Sequence, residues 1–328
     1  MAGVSAITVS RVLNQPEKVS PLMRDKVQQA VDELGYIPNR SASALASARS
    51  GVIGVAIPSL SNIVFNDVLR GIYDVAGPPG YQVLLADTHY SPMEEEKMVR
   101  ILLTQSPEAM IVTGGDQTEI TRKLLSKAGI PVVQIMEAVE EPIDMNVGFS
   151  HRQAAFDMVS ELLNRGYSKV AFIGARMDPR AQQRLMGYRE AMDTCGYSQR
   201  HLVVTSPRPT TIAIGGELLR SLMSLSGGEC DAVFCCNDDL ALGVLFEAQR
   251  MNIRIPDDMA LCGFNDVEAA ALVNPSLSSV HVPRYKMGAL ATEMVLESLD
   301  GNEEMSGRIV DSGYELKMRG STGYKNKT

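Results

Sequence analysis

No run of 18 apolar residues occurs anywhere in this 328-residue chain, which excludes a transmembrane helix. The opening residues, MAGVSAITVSR, have neither a basic n-region nor a long apolar h-region, so no secretory signal is expected and a cytoplasmic protein is. Cysteine is sparse. Cys195, Cys230, Cys235, Cys236 and Cys262 make an odd number without a CxxC pair, so buried free thiols are expected rather than a redox or metal role. The four histidines, His89, His151, His201 and His281, are scattered and form no HExxH, which argues against zinc and against histidine-based catalysis. No Gx4GK[ST] loop, no GxGxxG after a strand and no GxSxG elbow is present, and Gly114-Gly115-Asp116 reads as a turn at a strand end. An α/β enzyme is therefore not expected, and neither is a cofactor.

What the chain does have is ample apolar material, 45% of its residues, and a length that suits two or three domains. Its net charge of −8 is uneven. Residues 1–50 hold six Lys+Arg against four Asp+Glu, a net +2, which leaves −10 on the remaining 278. A small basic head on an acidic body can still meet phosphates, because the local field decides.

Residues 51–280 alternate short apolar runs with amphipathic helical stretches. The runs are GVIGVAIP (51–58), YQVLLADT (81–88), AMIVTGG (109–115), PVVQIM (131–136), KVAFIGA (169–175), AVFCCND (232–238) and MALCGFND (259–266). Each is continuous rather than alternating, as strands of a parallel sheet covered on both faces should be. Helical spacing between them, as in Ala154-Met158-Leu162 and Leu218-Leu222-Leu225, implies crossover helices and doubly wound sheets. The strands are too many for one modest sheet. A division near 137–151, where EAVEEPIDMNVGFSH reads as connecting chain, makes two α/β lobes with a cleft between them. SSVHVP (278–283) and a helix from about Arg284 to Leu299 are expected to return the chain to the first lobe. Asn237, Asp238, Asn265 and Asp266 at strand ends, with Arg176 just after one, place a ligand in that cleft.

The first fifty residues differ in kind. Ser5 is positioned to cap a short helix to about Leu13, which Asn14-Gln15-Pro16 breaks. Ser20-Pro21 then opens a second helix with one apolar face (Met23, Val27, Ala30, Val31, Leu34), and Gly35 ends it. A small-residue stretch, SASALASARS, follows.

VSAITVSRVLN, VSPLMRDKVQQAVDELGYIPNR and the join ELGYxPNR closely resemble the DNA-binding head of LacI-family transcriptional repressors. The resemblance implies that the helix starting near Ser5 enters the major groove. Ala6, Ile7 and Arg11 would then face base edges, Arg11 suiting guanine, while Ser5, Thr8, Ser10 and Asn14 would touch mainly phosphates or the adjoining backbone. It likewise implies a hinge helix from Asn39 to Ser50, with Leu45 wedged into a minor-groove step and Ala42, Ala44 and Ala46 letting two hinge helices approach. The family has an earlier helix, of which only the end stands here. The head is thus expected to be truncated, and this chain is expected to bind its operator weakly or not at all.

The resemblance extends over nearly the whole core. GVIGVAIPSLSNIVFNDVLRGI, IGARMDPRAQQRLMGYREAM, FCCNDDLALG and PDDMALCGFNDVEAA match family segments. They imply a pocket formed by Asn62, Phe65, Phe149, Arg176, Arg184, Asn237 and Asn265, with Arg184 gripping the ligand. Arg180 either joins Arg176 and Arg184 against a carboxylate or is a solvated loop residue. Asn265 stands where many sugar-binding members carry Asp, and a neutral amide tolerates an anion better. Thr211 stands where some members place an aromatic, so a stacking ring is not expected. Within the family, wording such as PSLSNIVFNDVLRGI and IGARMDPR is similar to gluconate-operon repressors, implying gluconate or a relative such as 2-ketogluconate, idonate or 6-phosphogluconate.

The implied fold is α/β, with two doubly wound parallel-sheet, periplasmic-binding-protein-like lobes after a truncated helix-turn-helix head and hinge helix. Its divisions would be 1–39 for the head, 40–50 for the hinge, 51–151 plus 283–311 for the N-terminal lobe and 152–282 plus 312–328 for the C-terminal lobe. The implied function is a homodimeric repressor on palindromic operator DNA, switched by a sugar acid and without membrane association. The alternative is an effector-binding dimer that no longer binds DNA. A periplasmic sugar-binding protein shares the lobes but needs a signal peptide and has no use for residues 1–50.

Overall fold

A computed structural model describes residues 3–14, 16–36, 49–197 and 201–324. Asn39, Ala42, Ala44, Leu45 and Ala46 of the expected hinge lie outside the described residues, as does the side chain of Asn14. Residues 1–51 and 52–328 form separate compact units.

In the first unit, α1 (Ala6–Asn14) is followed by a 3-10 turn (Pro16–Lys18) and α2 (Pro21–Leu34). The Thr8 amide donates to the Ser5 carbonyl at 3.0 Å and to the Ser5 hydroxyl at 3.2 Å, so Ser5 caps the first helical turn. Ser20 takes the extended N-cap conformation ahead of Pro21 without a side-chain bond, and Gly35 ends α2 at φ 57°, where other residues strain. Among the described side chains of this unit, Val12 and Val27 are the buried apolar ones.

The second unit is α/β and holds two six-stranded, predominantly parallel sheets. The first uses β1 (Val52–Ile57), β2 (Gln82–Asp87), β3 (Ala109–Thr113), β4 (Val132–Ile135), β5 (Met145–Gly148) and β11 (Ile309–Asp311), in the order β11-β5-β4-β3-β1-β2. The second uses β6 (Val170–Ala175), β7 (Leu202–Ser206), β8 (Ala232–Cys235), β9 (Ala260–Asn265), β10 (Ser278–His281) and β12 (Glu315–Lys317), in the order β12-β10-β9-β8-β6-β7. Only β12 runs antiparallel to its neighbour. β3, β4, β6, β8 and β9 are buried along their whole length, which is why they read as continuous apolar runs.

Two features depart from expectation. The stretch read as connecting chain contains β5, whose strand character is hidden by Asn146. That side chain is fully buried and donates to the Gln134 and Glu137 carbonyls, replacing an apolar contact with hydrogen bonds. Edge strand β7 is only half-buried and carries no strong apolar signal.

The helices of the first lobe include α3 (Val64–Ala76), α4 (Pro92–Thr104) and α5 (Glu119–Lys127). Those of the second include α6 (His151–Asn164), α7 (Pro179–Thr194), α8 (Ile212–Ser226), α9 (Asp238–Arg250) and the short α10 (Glu268–Leu272). α11 (Arg284–Leu299) comes after β10 yet packs on α3. The contact is backbone to backbone: a Cβ on Gly288 would sit 2.1 Å from the Val68 carbonyl oxygen, and one on Gly71 would sit 2.2 Å from that of Tyr285. The chain therefore passes between the sheets at β5–α6, β10–α11 and β11–β12. In each sheet the connections reverse direction beside the first strand, between β1 and β3 and between β6 and β8. A crevice forms at such a reversal, beyond the carboxyl ends of the strands.

Candidate ligand-binding cleft

A cleft of about 360 Å³ lies at those strand ends. From the first lobe it takes Ser59, Ser61, Asn62, Phe65, Tyr90 and Met136 among others, and from the second Arg176, Asp178, Arg180, Arg184, Thr210, Asn237, Asp239 and Asn265. The backbone around it is strained. Tyr90, Met136, Arg176 and Asn265, all lining it, have φ of 57°, 74°, 63° and 107°, the left-handed region that non-glycine residues avoid. Such conformations persist where packing over-determines them, and they concentrate at functional sites.

Six of the seven expected pocket residues meet here: Asn62, Phe65, Arg176, Arg184, Asn237 and Asn265. Phe149 does not. It is 1% exposed and stacks beneath, its ring 4.4 Å from His151 and 6.2 Å from Phe264 between centroids. It braces the floor instead of forming the wall, because its position just after β5 turns it into the crossing point between lobes. Arg180 is no solvated loop residue: it is 8% exposed in the first turn of α7, its Nε 3.6 Å from Asp178.

Arg184 is the most constrained of these groups. Its Nη1 donates to the Cys236 carbonyl, its Nε lies 3.3 Å from His151 Nδ1, and its guanidinium lies over the Phe264 ring at 3.7 Å. His151 Nε2 meets the Met136 carbonyl at 3.0 Å. Burial, reinforced by Arg184 and Arg180, holds the His151 pKa well below the usual imidazole range, so the ring is neutral, accepting at Nδ1 and donating at Nε2. Burial lowers the Arg184 pKa to about 10, which still leaves it cationic at neutral pH. Its partners are thus a neutral imidazole, a carbonyl and a phenyl face.

Asn62 and Asn237 serve as local clamps as well as wall. Asn62 Oδ1 accepts the Val64 amide at 3.1 Å while Nδ2 donates to the Tyr90 hydroxyl at 2.6 Å. Asn237 caps α9 by accepting the Leu240 amide at 3.1 Å. Tyr90 was not expected from the sequence. Its ring lies under the Arg176 guanidinium at 4.0 Å, so a ring surface is present after all, though a cation already covers it. The one available signal was a polar aromatic directly after an apolar run and before Ser91-Pro92, a helix start.

Behind the cleft, Asp238 is fully buried at the start of α9, accepting the Ser279 hydroxyl at 2.6 Å and the Val267 amide at 2.8 Å. Burial raises its pKa to about 7 against these bonds. A carboxyl raised above its unfolded value of 3.8 favours folding while protonated, so its contribution falls as pH climbs from about 4 to about 7. Asp238→Asn is expected to flatten that part of a urea-denaturation pH profile; an unchanged slope would count against this assignment.

In the head, Ser5 just before α1 and Ala6, Ile7, Ser10 and Arg11 on it are exposed, and Thr8 is half-buried. Ile7 is 67% exposed, which is unusual for isoleucine and leaves an apolar surface open beside Arg11.

Residues 1–39 match the family described as bacterial regulatory proteins, lacI family, and residues 159–322 match the periplasmic binding protein-like domain. The HTH-type transcriptional regulator GntR of Escherichia coli (strain K12) is 39% identical over 319 residues, 97% of this chain and 95% of that protein. The regulator of the same name from Pseudomonas aeruginosa is 40% identical over 322 residues, 98% and 93% respectively. The crystal structure of a LacI-family transcriptional regulator from Silicibacter pomeroyi superposes with a TM-score of 0.91 at 34% identity, covering 98% of this chain and 96% of the other.

Proposed function

The chain belongs to the lacI family of bacterial regulatory proteins, and from that premise we propose that it is a repressor controlled by a sugar acid, gluconate or a close relative, bound between the two lobes. It is a transcriptional regulator rather than an enzyme. The observation that carries the ligand class is the state of the cleft arginines. Among the described residues, neither Arg176 nor Arg184 has a carboxylate in ion-pair reach, whereas Arg180 has Asp178. Arg184 is buried and Arg176 half-buried; a guanidinium held out of water without a counter-charge is costly, most of all at Arg184, and a ligand carboxylate relieves that cost. Asn237, Asn265 and Asp239 then suit the hydroxyls, Asn265 without repelling the anion. Titration calorimetry against gluconate, 2-ketogluconate, idonate and 6-phosphogluconate tests this, with glucose and a purine as neutral controls. Binding of the neutral compounds alone would remove the sugar-acid reading.

We assign residues 1–39 to the DNA-reading head, 40–50 to the hinge, 51–151 with 283–311 to one lobe and 152–282 with 312–328 to the other. Two chains present their heads to a palindromic operator in the cytoplasm. No helix among the described residues is long and apolar enough to cross a membrane. Ligand in the cleft alters the angle between lobes and thereby the hinges. The family match over residues 1–39 favours this reading over an effector-binding dimer without DNA. Exposed Arg11 on α1 carries base readout, with Ala6 and Ile7 beside it. Arg11→Gln should lower operator affinity by about 1–3 kcal/mol and relax specificity at one base pair, as read by fluorescence anisotropy across operator variants. A uniform loss across all sequences would reassign it to phosphate contact.

A further inference from the structure

We propose that Arg176, paired across the cleft with Tyr90, reads the ligand's charge, and that the cleft selects a singly charged, unphosphorylated sugar acid. This rests on the sugar-acid reading above and sharpens it. The three cleft arginines are not equivalent. Arg184 is directed at His151 and Cys236 with Phe264 against its face, so it organises the floor. Arg180 sits beside Asp178, and at Gly114 its Nη1 converges with the carboxylates of Asp116 and Glu137 from the first lobe. Arg176 has no hydrogen-bond acceptor for its guanidinium among the described residues. Its guanidinium carbon lies over the Tyr90 ring, 4.0 Å from the centroid, and its N–H groups, without a protein acceptor, are available to a carboxylate. The left-handed backbone at Arg176 and Met177, φ 63° and 51°, and the 2.9 Å bond from the Arg176 amide to the Arg208 carbonyl fix where those groups point. Tyr90 is itself held by Asn62 at 2.6 Å. Arg176 follows β6 in one lobe and Tyr90 follows β2 in the other, so a carboxylate on Arg176 also consolidates a contact that exists only when the lobes meet.

The charge balance limits what that carboxylate is attached to. The charged side chains lining the cleft are Arg176, Arg180 and Arg184 against Asp178 and Asp239, three positive less two negative, or +1. Glu137 and Asp116 behind Arg180 add only negative field. The lining alone matches a monoanion. A phosphorylated acid brings further negative charge towards Asp178, Asp239, Asp116 and Glu137.

The test uses the full-length protein in titration calorimetry with gluconate, 6-phosphogluconate and the uncharged alditol glucitol. Arg176→Gln is expected to weaken gluconate by about 10- to 100-fold, the worth of a hydrogen-bonded charge, and to leave glucitol unchanged, so that the ratio between them collapses. Tyr90→Phe keeps the ring and should retain the ratio, and Tyr90→Leu should reduce it. Wild-type protein should bind gluconate at least about tenfold more tightly than the phosphorylated acid. An unchanged gluconate-to-glucitol ratio in Arg176→Gln would overturn the role of Arg176, and tighter binding of 6-phosphogluconate would overturn the charge limit. Wild-type protein that bound no sugar acid at all would instead remove the underlying functional reading.

Discussion

Arg184→Met is expected to abolish sugar-acid binding, a loss of two orders of magnitude or more, with little change in the stability of the unliganded protein. Two opposing effects act on the fold. The variant removes a cation that burial penalises, and it strands His151 Nδ1 and the Cys236 carbonyl without their donor. Each unsatisfied group costs about 1–3 kcal/mol, against relief of a comparable desolvation penalty. Nothing offsets the effect on the ligand. Arg184 organises the cleft floor, and its removal takes away both that support and a buried positive charge behind the carboxylate held by Arg176, a loss of about 2–5 kcal/mol. In thermal melts, wild-type protein at a hundredfold excess of ligand over Kd should gain about 2.7 kcal/mol, and the variant should show no ligand-induced shift at all. A variant that unfolds early but still responds to gluconate would mean that Arg184 is structural only.

The second large effect lies far from any ligand contact. Gly288→Val should destabilise the core by about 3 kcal/mol, the upper end of what overpacking ordinarily costs. The obstruction is the Val68 carbonyl, 2.1 Å from the new Cβ, and a backbone atom in a helix cannot move aside by changing rotamer. α3 and α11 must then separate. α3 begins at Val64, two residues after Asn62 and one before Phe65, so the same separation spoils one wall of the cleft. Urea denaturation should show a lowered midpoint with the slope retained, and the remaining folded protein should bind gluconate weakly. A midpoint near that of wild type would show that the two helices are not locked together as described.

The parts of this architecture visible in the sequence are those where one physical cause dominates. Strands buried on both faces must be apolar throughout, so β1, β3, β6, β8 and β9 stand out. α11 was delimited from Arg284 to Leu299, and the structure has the same bounds. β5 escaped because Asn146 satisfies its buried polarity through hydrogen bonds that only the folded chain supplies. The cleft was legible for the same reason as the sheets: polar residues directly after apolar runs fall at strand carboxyl ends. That rule locates Arg176, Asn237 and Asn265 but says nothing about depth: Phe149, which the family resemblance implied for the pocket, lies one layer beneath it, and Arg180, for which a solvated reading was open, is buried. Tyr90 owes its place to left-handed backbone at His89 and Tyr90 itself, φ 52° and 57°, which residue type alone does not signal. Helix α8 makes a similar point: Leu218 and Leu222 are buried as spaced, but Leu225 in its last turn is 66% exposed.

The central claim is that a sugar acid in this cleft governs operator affinity. It is tested most directly by fluorescence anisotropy on a palindromic operator selected from a randomised library, titrated with protein in the presence and absence of saturating gluconate. Gluconate is expected to weaken operator binding by about 5- to 150-fold, the coupling of about 1–3 kcal/mol typical of such switches. An operator affinity that stays the same while calorimetry shows the cleft to be occupied would contradict it.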